Sequence, residues 1–238
     1  ASSGLRVTTM YLAGAGVPAA VGLLAEELYK GSRLPKDTQR AWKHANSARG
    51  LDDPRSRYVR GSILRYGDGR AADPKQARKE LELAAHAGSS IAAQELGEML
   101  LSRLGGPRQR ARALDFLRQA VEGGQAYPLR VLAEVLLAGS EEERAEARRW
   151  LERGDQLGNQ HAQLVLAEQL RAEDPQRAFQ LARSASQERL WRALLLLGDF
   201  YRDGVGTPPK LAEARRCYEQ ASERGVVEAG RRLRELAR

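Results

Sequence analysis

Residues 193–229 read ALLLLGDFYRDGVGTPPKLAEARRCYEQASERGVVEA, and this stretch decides the fold. Two apolar-periodic runs, each too short to be helical alone in water, are joined by a Gly-rich turn and closed by a further Gly. The first run carries Ala193, Leu197 and Gly198 and breaks at Gly204 and Gly206, where left-handed or strained backbone is cheap only for Gly. Thr207 with Pro208 and Pro209 restarts the chain. Ala214, Tyr218 and Ala221 then line one face of a second helix that stops at Gly225.

The same anchors recur up the chain. The small residue at the Gly198 position appears as Ala25, Gly61, Gly97, Ala133, Ala167 and Gly198, at spacings of 36, 36, 36, 34 and 31. The second-helix Ala appears as Ala41, Ala77, Ala113, Ala147, Ala178 and Ala214, and a third series runs Ala48, Ala84, Ala120, Gly154, Ala185 and Ala221. A terminal Gly stands at Gly16, Gly88, Gly124, Gly158 and Gly225, with Asp52 and Arg189 in the two exceptional slots. Series that hold one period in the middle thirties describe helical hairpins stacked as a solenoid. Small residues at matching places let helices approach backbone to backbone while Leu or an aromatic fills the space beside them.

The pattern L-G-x-x-Y-x-x-G-x-G-V-x-x-D-x-x-K-A followed by A-A-x-x-G resembles the Sel-one-like repeat family, relatives of the tetratricopeptide repeat. It is carried by Leu197, Gly198, Tyr201, Gly204, Val205, Gly206 and Ala214, and by Gly61, Gly67, Gly69, Asp73, Ala77, Ala84, Ala85 and Gly88. The repeats after Ala133 and Ala167 depart from it by losing two and five residues from the inter-helix turn, and the tyrosine slot is Leu in every repeat but the last. The resemblance implies an all-α fold, an α-solenoid wound as a right-handed superhelix from about six helix-turn-helix repeats plus terminal capping helices.

A single repeat solenoid over residues 1–238 follows, with 1–17 an incomplete first repeat or cap, 18–225 six repeats, and 226–238 a C-terminal capping helix. The spacing predicts helix pairs at 18–31 and 37–50, 54–66 and 73–87, 90–103 and 107–122, 126–138 and 141–157, 160–171 and 175–187, and 190–203 and 208–224. A closing helix over 226–237 keeps its outer side wet with Arg231, Arg232, Arg234 and Arg238. Asp73-Pro74 and Asp174-Pro175 read as N-cap plus first-turn proline.

Composition bounds the function. Hydrophobic residues make up 42% and aromatics only 5%, so the core is built from Leu and Ala. The net charge of +8 invites a nucleic-acid reading, but 6 Lys and the Arg that complete the 39 basic residues are spread over every repeat, as solvated helix faces usually are. The one cysteine, Cys217, falls in a slot held elsewhere by His44, Glu80, Phe116, Trp150 and Leu181, which points to packing rather than reactivity. Tyr11 to Ala25 is uncharged but too short and too broken by Gly14, Gly16 and Pro18 to span a membrane. The opening Ala1-Ser2-Ser3-Gly4 suits the start of a mature exported protein, which favours a periplasmic or lipid-anchored location over a cytoplasmic one.

Convergent polar groups for catalysis do not emerge. His44, His86 and His161 lie in different repeats without metal spacing. His44 shares its slot with Trp150 and Phe116, and His86 and His161 fall near helix termini, where a cation meets the dipole or caps a carbonyl. Gly14-x-Gly16 lacks the strand, third Gly and Lys of a phosphate loop and reads as a helix cap. No catalytic, cofactor or metal residue is assigned, and the chain is read as a non-enzyme.

In tetratricopeptide-like hairpins the first helix lines the concave groove, so by that resemblance the positions one, four and five after the small anchor face a partner. The first reads Glu26, Ser62, Glu98, Glu134, Glu168 and Asp199; the second Tyr29, Arg65, Leu101, Leu137, Arg171 and Arg202; the third includes Lys30, Tyr66 and Asp203. Arg78-Lys79, Arg148-Arg149 and Arg215-Arg216 fall on the convex side. The expected partner surface is therefore Glu26, Tyr29, Arg65, Tyr66, Glu98, Leu101, Glu134, Leu137, Glu168, Arg171, Asp199 and Arg202, an acidic ladder with apolar anchors that suits a basic segment of another protein. Self-pairing of Glu168 with Arg171 and of Asp199 with Arg202 is the competing use of the same charges. The expected function is an adaptor or scaffold. Alternatives are an immunity protein that neutralises a secreted bacterial effector, and a regulatory or nucleic-acid-binding protein that uses the basic convex face. The expected partner is a protein, such as a secreted effector or an envelope assembly component, rather than nucleic acid.

Overall fold

A computed structural model describes residues 13, 15, 17–47, 52–187 and 190–236. Thirteen helices and no strand are found among the described residues. They are α1 (Pro18–Lys30), α2 (Thr38–Ala45), α3 (Pro54–Tyr66), α4 (Pro74–His86), α5 (Ser90–Ser102), α6 (Arg110–Glu122), α7 (Pro128–Leu137), α8 (Glu141–Gln156), α9 (Gln160–Leu170), α10 (Pro175–Ser186), α11 (Trp191–Asp203), α12 (Leu211–Glu223) and α13 (Val227–Leu236). The odd-numbered helices to α11 are the first helices of six pairs, and the even-numbered ones are the second.

Local chemistry starts and stops these elements. Asp73 and Asp174 each accept a backbone N–H at 3.0 Å, from Gln76 and Arg177, with proline at the first helical position. Asp53 does the same for α3, accepting from Arg55 and Ser56 at 3.0 and 3.1 Å. Ser140 and Glu143 close a reciprocal capping box on α8. The α12 start differs from expectation: Pro208 and Pro209 belong to the turn, and the helix begins at Leu211 behind Lys210. Pro209 pushes the residue before it out of helical conformation, and the Lys210 N–H donates back to the Tyr201 carbonyl at 2.8 Å. In α6 the same three-residue delay places Gln109 at the N-cap. Most of the incomplete first repeat, the glycines Gly14 and Gly16, the small residue Ala48, Arg189 and Arg238 lie outside the described residues.

Two compact units divide the chain, residues 1–128 and 129–238. In the first, α1 pairs with α2, α3 with α4 and α5 with α6, and each second helix packs on the first helix of the next pair. In the second, α9 pairs with α10 and α11 with α12, while α8 packs on α9, α10 on α11, and α13 on α12 as the closing helix. First helices also touch first helices: α1 meets α3, α3 meets α5, and α9 meets α11.

The small anchors sit where the two helices of a pair cross. A Cβ placed on Gly61 would stand 2.6 Å from Leu81 Cγ, one on Gly97 would stand 2.8 Å from Leu117 Cγ, and one on Gly198 would stand 2.5 Å from Tyr218 Cε1. Each partner lies four residues past its second-helix Ala. Where the anchor is Ala25 or Ala167, the equivalent partner is Ala45 or Ala182, and all four are fully buried. In these five repeats volume is thus traded across the crossing, while the repeat anchored by Ala133 keeps a buried Leu151 at the partner position. Cys217 lies next to one of these partners; it is 8% exposed and burial pushes its thiol up to about 11, so it is a packing residue.

A double-mutant cycle tests the crossing. Gly61→Ala should destabilise by about 1–3 kcal/mol through overpacking, and Leu81→Ala by about 2–5 kcal/mol through the cavity it leaves. The double variant recreates the Ala-on-Ala crossing, so urea denaturation should show it more stable than the sum by about 0.5–3 kcal/mol. Strict additivity would refute the pairing.

Candidate functional site

The residues singled out above all fall on first helices or their C-terminal ends. Glu26 and Tyr29 are on α1, Arg65 and Tyr66 on α3, and Glu98 and Leu101 on α5, all in the first unit. Glu134 and Leu137 are on α7, Glu168 on α9 with Arg171 at its C-cap, and Asp199 and Arg202 on α11, all in the second.

Arg65 is the hub of the first group. Its Nη2 donates to Glu98 Oε2 at 2.7 Å and its Nη1 to the Glu95 backbone carbonyl at 3.2 Å, so one side chain of α3 ties down two residues of α5. Nη1 also lies 3.5 Å from Glu95 Oε2, and Ser62 Oγ donates to Glu95 Oε1 at 3.0 Å. The guanidinium stacks 4.8 Å over the Tyr66 ring, which is 59% exposed. Beside it, Tyr29 meets Tyr58 edge to face at 6.3 Å, and Lys36 lies over the Tyr29 ring. Glu26 is held by Lys30 at 2.6 Å and by Arg55 at 3.3 Å, and Leu101 packs half-buried against the core.

Burial dominates the electrostatics here. It raises the Glu95 carboxyl above the usual carboxylate range, opposed by Arg65 and by the Ser62 hydrogen bond. The Tyr29 and Tyr58 phenols are pushed up by burial first and by the Glu95 charge second, so both stay protonated donors. Two buried polar atoms of the cluster, Arg65 Nε and Glu95 Oε2, have no hydrogen-bond partner. Each such group costs about 1–3 kcal/mol until something pairs with it.

In the second unit, Asp199 accepts from Tyr218 Oη at 2.7 Å and lies 3.4 Å from Arg202 and 3.3 Å from Arg232. Arg232 is therefore turned inward, not part of the wet outer side of α13. Arg171 does not pair with Glu168: at the C-cap of α9 it reaches forward to Asp203 of α11 at 2.7 Å. Glu134 pairs with Arg130, and partial desolvation raises the Glu168 carboxyl, opposed first by Arg192. Arg65 to Glu98 and Arg171 to Asp203 are bonds between neighbouring first helices, which intra-helical spacing does not foresee.

Glu95 is the buried carboxyl of this cluster that the three-position reading misses, although a signal for it exists. Two residues before the small anchor the chain reads Leu23, Val59, Glu95, Val131, Val165 and Leu196, a single charge in an apolar series. The convex reading of Arg78 also needs correcting. Arg78 is 9% exposed and donates to the carbonyls of Met99, Leu104 and Pro107 at 2.7, 2.5 and 3.0 Å, because the next repeat's turn closes over it. Of the histidines, His86 ends α4 with its ring edge-on to Phe116 at 5.6 Å, and His44 is half-buried in the last turn of α2. His161 sits in the first turn of α9, the wrong end for a cation, and burial lowers its pKa with Arg130 adding to the effect. Among the described residues no cluster of His, Cys, Asp or Glu is arranged to hold a metal ion, and no helix is long and apolar enough to cross a membrane.

Sel1 repeat models match residues 9–53, 54–89, 90–125, 166–189 and 191–226, well over half of the chain. The chain belongs to the Sel1 repeat family. Its fold is the α-solenoid of that family, and Sel1 repeat proteins are generally non-catalytic protein-interaction scaffolds. In sequence this Sel1 repeat chain is similar to an uncharacterised protein of Neisseria meningitidis serogroup B, with 28% identity over 211 residues, covering 89% of this chain and 38% of that protein. In structure it is similar to c5321, a protective antigen of uropathogenic Escherichia coli with an SLR fold, at a TM-score of 0.81 and 22% identity over 97% of this chain and 51% of that one. A Sel1 repeat protein of Oxalobacter formigenes superimposes with a TM-score of 0.78 and 23% identity, over 90% of this chain and 86% of that one. The chain thus spans about 38% of the Neisseria protein and about half of c5321.

Glu95 gives a pH test. Its folded pKa lies above the unfolded value of about 4.3, so from there up to the raised value the folded state holds the extra proton and stability falls as pH rises. Glu95→Gln removes that slope. In urea denaturation the variant should gain on the native protein between about pH 4 and pH 7, and a pH-independent gap would exclude the assigned role.

Proposed function

We propose that this chain is a non-catalytic adaptor that grips a partner protein through its first-helix faces, and that the strongest grip is the Arg65, Tyr66, Glu95 and Glu98 cluster of the first unit. The observation that carries the reading is an exposed Tyr66 stacked on Arg65, above two buried polar atoms that lack hydrogen-bond partners, Arg65 Nε and Glu95 Oε2, the second held only by a 3.5 Å ion pair to Arg65 Nη1. Tyr and Arg supply much of the energy of protein interfaces, and a desolvated polar atom rewards whatever pairs with it. A partner segment bearing a basic or amide donor and a free carbonyl beside an apolar side chain fits the cluster: the donor meets the carboxylates of Glu95 and Glu98, the carbonyl accepts from Arg65 Nε, and the apolar group lies on Tyr66 and Leu101. Glu26 and Tyr29 extend the same face along α1. Glu134, Leu137, Glu168, Arg171, Asp199 and Arg202 form the corresponding surface of the second unit.

The convex arginines offer less to a nucleic acid. Arg78 is engaged by backbone carbonyls, Arg148 pairs with Glu173 and Arg216 pairs with Glu213.

Site-specific photo-cross-linking in the producing cell tests this reading. A benzophenone side chain at Tyr66 should trap a discrete protein adduct that the same group at Leu83, exposed on second helix α4, does not. Glu98→Lys in the Tyr66 background should cut adduct yield about tenfold or more. Equal trapping at Tyr66 and Leu83, or indifference to Glu98→Lys, would reject the site.

A further inference from the structure

At three junctions the turn of one repeat seals the hairpin before it. Gly69, Gly105 and Gly206 each stand eight residues past a small anchor, at φ of 78°, 79° and 66°, and each lies against the start of the preceding second helix. The fit is close: a Cβ on Gly105 would be 2.1 Å from the Pro74 carbonyl oxygen, and one on Gly206 would be 2.1 Å from that of Pro175. Beneath each turn is the residue following the second-helix Ala. Trp42 is covered there by Arg70 at 3.4 Å, Arg78 donates to four carbonyls, and Phe179 meets Tyr201 edge to face at 5.2 Å. Directly under the turn formed by Asp68, Gly69 and Arg70 a gap of about 120 Å³ is left, and on the other side of Trp42 and Arg70 lies a hollow of about 400 Å³ lined by Asn46, Arg57, Arg60 and Glu80.

The fifth repeat has no such turn. From Ala167 to Ala178 there are 11 positions, against 16 from Gly61 to Ala77, from Gly97 to Ala113 and from Gly198 to Ala214. The five missing residues are those that would cover α8, and Glu173 and Asp174 lead directly into α10. In their place is an open hollow of about 540 Å³, lined by Leu137, Leu151, Leu166, Arg144, Arg148 and Glu173. Its lining shares four positions with the covered junction: Arg144, Ala145, Arg148 and Gln169 stand where Thr38, Gln39, Trp42 and Ile63 do. Arg148 is also the counterpart of Arg78. Instead of four carbonyls it has one exposed carboxylate, Glu173 at 3.0 Å, a pair of the kind that contributes little. The volume falls in the range of about 300–1,000 Å³ typical of binding pockets.

We infer that this hollow is a second docking site whose occupant is a tight turn of a partner protein, taking the place of the missing turn of the fifth repeat. The turn's backbone carbonyls accept from Arg148 and Arg144, as those of Met99, Leu104 and Pro107 accept from Arg78, and its one apolar side chain lies on Leu137. The inference rests on the reading of the chain as a protein-binding module, but it uses no residue of the first unit, so the two can fail separately.

The probe is a disulfide-cyclised peptide, Cys-Leu-Gly-Gly-Pro-Cys, which presents the Leu104–Pro107 turn in trans to the full chain. Titration followed by NMR should give saturable shifts of the Arg144 and Arg148 side-chain N–H signals, with a Kd on the order of 1 mM. Replacing Glu173 and Asp174 with the Gly204–Lys210 turn should abolish those shifts and raise Tm. Arg148→Ala, which leaves the backbone untouched, should weaken binding about fivefold or more. Glu98→Lys should leave peptide binding unchanged, which separates this site from the first-unit cluster. Absence of saturable shifts, equal binding by the turn-grafted protein, or unaltered affinity in Arg148→Ala would overturn the inference. Should the grafted protein not fold, the Arg148→Ala titration decides alone.

Discussion

Everything in this structure depends on how closely the two helices of a repeat can cross. A glycine at the crossing admits the side chain four residues past the second-helix Ala, which is Leu81, Leu117 or Tyr218. At Ala25 and Ala167 that side chain is Ala, whereas the repeat anchored by Ala133 keeps a buried Leu151 there. Tyr218 shows the consequence for polar groups: its ring fills the space over Gly198, and its hydroxyl emerges on the first-helix face to meet Asp199. The crossing thus sets which polar atoms meet the carboxylates of the first helix.

A second constraint acts between repeats. Where a glycine stands eight residues past the anchor, at Gly69, Gly105 and Gly206, a turn lies on the helix before it, and that repeat finishes the burial of its predecessor. This is nearest-neighbour stabilisation, the usual economics of a solenoid. Its corollary is that shortening one turn leaves the flaw in the preceding hairpin, not in the repeat that lost the residues. The hollow over α8 arises in this way, and the stretch between residues 125 and 166, which no Sel1 repeat model matches, includes α8 itself.

Charge is used in the same inter-repeat manner. The chain is strongly basic, yet the carboxylates of its first helices are mostly tied by arginines: Glu98 by Arg65, Asp203 by Arg171, Asp199 by Arg202 and Arg232. Such pairs near a protein surface contribute modestly to stability, but they fix the orientation of neighbouring first helices. Around Glu95, as at Glu168, burial outruns pairing and raises the carboxyl. At Glu95 polar atoms without hydrogen-bond partners also sit beside the exposed Tyr66 ring, and the proposed partner surface rests on that combination.

The sequence by itself determined the repeat, its period, the helix starts at Asp73-Pro74 and Asp174-Pro175, and the residues placed on first helices. These are legible because small residues at a crossing and caps at helix ends are local requirements that each repeat meets separately. Glu95 was legible in principle, as one charge in an apolar column. Only the tertiary structure decided that Arg65 bonds across to α5, that Arg171 reaches Asp203 instead of Glu168, and that Arg78 is buried while Arg148 is not. Those outcomes turn on where the next repeat places its turn and its first helix, and a long arginine side chain can reach several partners of similar energy, so position along the chain does not select among them.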